Sequence, residues 1–251
     1  MATIYAAETD SPLYQLVSSA DSWNKTRHNV AGYSAIAFVN HTLYYHGYVR
    51  RYNSTKHLIV RSVMAFDTSG ISVAPSEATL KLYAGSATGA DVVVVKLNAG
   101  ATIDLSNNAV AGDFDQIAGF SAGNTMAGNV TDYSARPINV TEGLSAWTNG
   151  AYNDLALNST ALSDMASLDV FKLCVVEYAY DYLNAAPTTE LTSAAFYGYF
   201  TQEAGTSKDP YIDYTPGSSG YGHDVGAVAA ASISEVSSVA TANIGKIIGV
   251  D

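Results

Sequence analysis

The sequence predicts an all-β fold, a two-sheet β-sandwich over residues 1–215, and three observations predict it. Apolar and polar residues alternate on both sides of a turn-forming corner between Arg61 and Tyr83. Aromatic residues make up 11% of the chain, dominated by 18 tyrosines, with only 14% charged residues, a composition typical of surface β-sandwiches rather than of helix-rich enzymes. None of the candidate strands in residues 3–60 carries a helical period.

The corner organises the rest. Val63, Ala65 and Phe66 read as a buried strand, and Asp67-Thr68-Ser69-Gly70 supplies the side chains and glycine that favour a turn. Alternation returns at Ala78–Tyr83, with Ala78, Leu80 and Leu82 inward and Thr79, Lys81 and Tyr83 outward. Upstream, strands are expected at Thr3–Ala7, Tyr14–Ser18, Ser34–Val39, Leu43–Arg50 and Lys56–Val60, separated by Asn, Asp, Gly and Ser clusters. Downstream, Val92–Leu97 is a buried strand, while Asn98–Tyr133, rich in Gly, Ala, Asn and Asp, reads as long loops. Ser159–Leu168 is the helix candidate, since Leu162, Met165 and Ala166 share a face.

RSVMAFDTSGIS…SEATLKLY resembles the signature of DNRLRE-type and related carbohydrate-binding-module-like jelly rolls. Ile138–Asn158, containing Val140-Thr141 and Trp147, is similar to a second motif of that family, and Phe196–Thr215 to its closing strand pair. The resemblance covers about residues 47–216. It implies a two-sheet jelly-roll β-sandwich, a core position for Trp147, a structural role for Glu203 in a hydrogen bond or an ion pair with Arg61, and in some members a structural calcium. Such domains occur as appendages of secreted enzymes and in surface proteins, including those of phages and environmental sequences. Here the closing strand Tyr211-Ile212-Asp213-Tyr214 departs from the pattern by carrying an acid inside it.

From Pro216 the character changes. Residues 216–226 form a glycine-rich linker, and 227–251 hold an internal repeat that sets Ile233 over Ile244, Val236 over Ile247 and Val239 over Val250. That spacing of eleven is the period of an apolar helical stripe, which needs a partner to be buried; a strand laid on a neighbouring subunit is the extended alternative. These six residues are the expected assembly surface.

Sites for chemistry are sparse. The net charge of -11 and only 12 Lys and Arg argue against nucleic acid. Residues 1–20 contain no basic segment followed by an apolar core, so neither a secretion signal nor a membrane span is expected. Cys174 lies in an apolar run and reads as a small buried hydrophobe. Asp113 and Asp115 are the candidate ligands for a structural calcium, and no other cofactor is expected; the five histidines, His28, His41, His46, His57 and His223, lack zinc-ligand spacing. Gly119-Phe120-Ser121-Ala122-Gly123 matches a nucleophile elbow in letters only, because Asn124, Gly128 and Asn129 would break the helix that must follow the serine. Glu142, Glu177, Glu190 and Glu203 are the carboxylates available for glycoside chemistry, and their strand contexts favour structural roles.

The expectation is a non-enzymatic structural protein of a virion surface, a capsid decoration, fibre or appendage subunit that assembles with itself or with other virion proteins. The alternative is a glycan-binding module or adhesin of a phage or microbial cell surface, using Trp23, Trp147 or exposed aromatics of the 98–133 loops to stack on sugars.

Overall fold

The computed structural model describes residues 1–6, 14–20, 22–28, 36–38, 44–53, 56–87, 89–106, 110–121, 123–135, 147–198, 207–218, 235–236 and 239–240. In chain order the strands are β1 (Ala2–Tyr5), β2 (Tyr14–Ala20), β3 (Ile36–Phe38), β4 (Tyr44–Arg51), β5 (His57–Asp67), β6 (Glu77–Ala87), β7 (Val92–Lys96), β8 (Ala151–Ala156), β9 (Val170–Glu177), β10 (Leu191–Gly198), β11 (Tyr211–Thr215), β12 (Glu235–Val236) and β13 (Val239–Ala240). Two short helices, α1 (Trp23–Arg27) and α2 (Ser159–Ser167), a 3-10 turn at Ala111–Asp115 and a π-turn at Tyr178–Tyr182 complete the elements.

Eleven strands form one antiparallel network in the order β1-β11-β6-β10-β4-β5-β2-β3, with β8 also on β6, β9 on β5 and β7 on β9. The network curls into a β-sandwich. Strand β10 links the two halves, pairing with β4 along most of its length and with the end of β6 through a register shift between Tyr197 and Gly198; such irregularities bend a strand and let a sheet turn a corner.

The expected corner is present. Asp67 Oδ1 accepts hydrogen bonds from the backbone N–H and the hydroxyl of Ser69, and Ile71 N–H donates to the Thr68 carbonyl. Ala78, Leu80, Leu82 and Ala84 of β6 are buried while Thr79, Lys81 and Tyr83 are only partly so, the one-sided pattern of a strand with water on its other face. Those inward residues meet Met64 and Phe66 of β5, Val92 and Val94 of β7, and Phe171, Leu173 and Val175 of β9 in the inner core, with α2 contributing Ala161 and Met165.

The two strand candidates at 56–60 and 61–66 are one continuous strand, β5, and it is buried on both sides. Val63 and Ala65 of β5, Val93 and Val95 of β7, and Cys174 and Val176 of β9 point away from the inner core into a second one. The second core is completed by Trp23 of α1 and by Leu97, Ala101, Ile103, Phe114, Ile117, Met126 and Val130. The middle sheet β5-β9-β7 is therefore sandwiched twice, and the described residues of 98–133 form a packed cover over it rather than a set of solvent loops. Its tightest point is Gly119, with φ of +87°, where a Cβ would come within 2.1 Å of the Asn129 carbonyl oxygen. Only glycine fits such a position.

Asp213, the acid inside the closing strand, is explained by alternation. Ile212 faces the core and Asp213 faces out, accepting the Thr3 hydroxyl at 2.6 Å. Gly217 lies against Val73 and the Ala74 carbonyl, so the chain stays on the sandwich two residues past Thr215. In the tail, β12 and β13 pair antiparallel with Glu235 opposite Ala240 and Val236 opposite Val239. These four residues are extended; Ile233, Ile244, Ile247 and Val250 lie outside the described residues.

Candidate functional site

The most concentrated chemistry among the described residues is a buried charge cluster between the middle sheet and its cover. Asp181 sits in the π-turn that follows β9, Arg61 projects from β5, and Arg27 ends α1; all three are fully buried. Arg61 grips Asp181 in a bidentate fork, Nε to Oδ2 at 2.7 Å and Nη2 to Oδ1 at 2.8 Å. Arg27 adds Nε to Oδ1 at 3.3 Å and Nη2 to the Asp181 carbonyl at 2.9 Å. Further hydrogen bonds run from Arg61 to the carbonyl oxygens of Phe114 and Arg27, and from Arg27 to that of Asn124. Phe114 lies 4.1 Å from the Arg61 guanidinium carbon and Phe120 lies 5.0 Å from it, so aromatic faces supply part of the solvation the cations gave up. Burial pushes the Asp181 carboxyl up, but Arg61 and Arg27 together more than offset it and hold it below the ordinary carboxylate range.

Arg61 thus pairs with Asp181, 120 residues away in sequence; the expected partner Glu203 lies outside the described residues. No local motif could have announced this partner. Glu177, one of the candidate glycoside carboxylates, does a related job. Its side chain accepts from the N–H groups of Ala179, Tyr180 and Asp181 and from the Ser193 hydroxyl, capping the π-turn that carries Asp181.

Burial pushes the Glu177 carboxyl up to about 7 from 4.5 despite these donors. A carboxyl whose folded value is raised gives stability that is fully present below the unfolded value and is lost as pH rises through the folded one. Replacing Glu177 by Gln is therefore expected to remove a fall in stability between about pH 4.5 and 7, worth on the order of 3 kcal/mol. Buried His46, pushed down to about 3, acts in the opposite sense over an overlapping range. The check is thus the difference in denaturation midpoint between variant and parent at each pH; a constant difference refutes the assignment.

The candidate calcium ligands serve different neighbours. Asp113 is buried and its carboxylate accepts from the N–H groups of Thr102, Ile103 and Val110, tying the 3-10 turn to the irregular segment that precedes it. Asp115 points to the hub, 3.7 Å from Arg61 Nη1. Among the described residues no group of three or more His, Cys, Asp or Glu is placed to hold a metal ion.

Ser121 lies in an irregular segment after a turn, without the strand before it or the helix after it that an elbow needs. Its hydroxyl accepts from Asn124 Nδ2, and the neighbouring His28 uses Nε2 to accept the Gly123 N–H. The glycines of this motif have a backbone reason, since Gly119 and Gly123 both have positive φ.

The expected sugar-stacking aromatics point inward. Trp23 and Trp147 are buried, donating to the Asn184 side chain and the Ala90 carbonyl. Of the aromatic residues in 98–133, Phe114 and Tyr133 are buried and Phe120 covers the hub. Among the described residues, aromatic rings that reach the surface together are elsewhere. Tyr5, Tyr83, Tyr152 and Tyr211 form a chain of contacts on the outer face of the β1-β11-β6-β8 layer, with ring centroids 4.8–5.5 Å apart in successive pairs.

No protein-family model matches the chain, and no curated protein aligns with it significantly. No helix among the described residues is long and apolar enough to cross a membrane.

Proposed function

We propose that the chain is a non-enzymatic structural protein of a virion surface, a capsid decoration, fibre or appendage subunit whose solvent-facing sandwich has jelly-roll connectivity and whose C-terminal segment makes the assembly contact. The observation that carries this reading is the closed hub: the charges taken inside the fold at Asp181, Arg61 and Arg27 bind one another and backbone carbonyls, which cross-links strand, helix and cover. A reactive centre keeps a group facing a cavity where substrate can approach; this arrangement instead favours mechanical permanence. The acidic exterior implied by a net charge of -11 suits a particle that must stay dispersed.

Two measurements test the proposal. Gold-labelled antibody against the chain should decorate the exterior of native particles in electron micrographs, and particles without label would remove the virion reading. A chain ending after Ser218, chosen because Gly217 still touches the sandwich, should keep its β-type circular dichroism and melting temperature while losing its oligomer or its attachment. Unchanged assembly would show that residues 219–251 are not the contact.

A further inference from the structure

We propose that the tyrosine-bearing outer face of the β1-β11-β6-β8 layer is a docking face for a neutral oligosaccharide. Register places its components. Tyr5 is opposite Tyr211, Tyr211 opposite Lys81, and Lys81 opposite Asp154, so one row crosses four strands, about 14 Å at the usual strand spacing. Tyr83 and Tyr152 sit opposite each other in the next row on the same face. Tyr5 is 42% exposed, and Tyr83, Tyr152 and Tyr211 are each partly exposed.

The rings are held in place before any ligand arrives. Tyr83 donates its hydroxyl to the Gly150 carbonyl and Tyr152 to the Asp209 carbonyl, at 2.7 and 3.0 Å. The Tyr152 ring stands edge-on to both Tyr83 and Tyr211, at 90° and 71°. Fixed rings lose little freedom on binding, which lowers the entropic cost of association.

What surrounds the rings selects the partner. The flanking side chains are Thr3, Thr79, Lys81, Asp154, Asp213 and Lys208, donors and acceptors joined on this face by the single small aliphatic residue Ala156, whereas the centre of a protein–protein interface is apolar. A pyranose presents C–H faces for aromatic rings and hydroxyls for such polar neighbours. Charge argues for a neutral sugar: Lys81 is paired with Asp154 at 2.5 Å, Asp213 holds the Thr3 hydroxyl and Lys208 lies over the Tyr83 ring, so ammonium groups and carboxylates balance on this face and neither sign forms a row for a polyion to follow. The inference does not depend on the virion reading, and either can fail alone.

The test is native affinity electrophoresis of the full chain through gels containing soluble neutral glucan, mannan or galactan, or anionic alginate or polygalacturonate. Retardation is expected in at least one neutral gel, with retention weakened roughly ten-fold or more by Y5A/Y211A. The exposed residue Tyr52, which stacks on Arg50, provides Y52A as a control expected to behave as the parent. Y5A alone, at an edge strand and an exposed position, is expected to show a smaller loss without affecting folding. Absence of retardation in every neutral gel, retardation in anionic gels only, or equal retention by Y5A/Y211A overturns the proposal. So does a concentration-dependent dimer by sedimentation that Y211A abolishes, since the occupant would then be a second copy.

Discussion

Asp181→Ala is expected to lower the unfolding free energy by roughly 3–5 kcal/mol, the usual cost of removing one partner from a buried ion pair. The substitution leaves Arg61 and Arg27, both fully buried, facing each other without the carboxylate between them. Asp115 remains 3.7 Å from Arg61 with a partly exposed side chain, too far for a comparable hydrogen bond. Against a typical total of about 5–15 kcal/mol, such a loss brings the chain close to unfolding at room temperature. Replacing Arg27, Arg61 and Asp181 together by apolar residues of similar volume is expected to cost much less, because no charge is then stranded. Urea denaturation of both variants checks the pair of outcomes; a shift below about 1 kcal/mol for Asp181→Ala, within the range of exposed pairs, would mean the hub is solvated. The sign with pH also follows. Asp181 is held below the ordinary range, so its contribution is present above the unfolded carboxylate value near 3.8 and disappears only as pH falls through the lower folded value.

Phe66→Ala in the inner core is expected to cost about 3–5 kcal/mol and Leu80→Ala about 2–5 kcal/mol, as cavities in a packed interior. Both side chains are fully buried and belong to the same cluster, one from each face of the sandwich. Phe66 is directly opposite Phe171 in the β5-β9 register, and strands on either side limit collapse into the void. Denaturant midpoints measure the effect. Values near zero would place these residues on the surface and shift both strands by one residue, since a one-residue slip exchanges the faces of a strand.

The β-sandwich was legible where one face of a strand meets water. Strand β6 declared itself through alternation, and α2 through the shared face of Leu162, Met165 and Ala166, all of which pack on the inner core. The doubly buried β5 and β7 read as apolar runs, but a run does not say which residues face which layer. The second core was illegible for a different reason. Ile103, Phe114, Ile117, Met126 and Val130 follow no period, because a cover of turns is positioned by caps such as Asp113 and by tight glycines such as Gly119 rather than by a repeating face. Helix α1 was missed because five residues are too few to show periodicity. Its signal was the cap, Ser22 accepting from Lys25 N–H. The hub escaped because ion-pair partners far apart in sequence carry no spacing rule, and the tyrosine face because its rings are drawn from four strands that only register brings together.

The doubly covered middle sheet changes what a protease would find. A segment rich in Gly, Ala, Asn and Asp invites the expectation of an early cut, since cleavage requires several residues to open and leave the surface. Lifting the 98–133 cover would expose Val93, Val95, Cys174 and Val176 at once and would remove the Phe114 and Asn124 carbonyls from Arg61 and Arg27. Opening there is a loss of core, so its free energy approaches that of global unfolding. The described part of this cover should therefore be among the last to be nicked, and the amide hydrogens at Lys96, Asn98 and Tyr133, bonded across it, should exchange with solvent as slowly as those of the central strands.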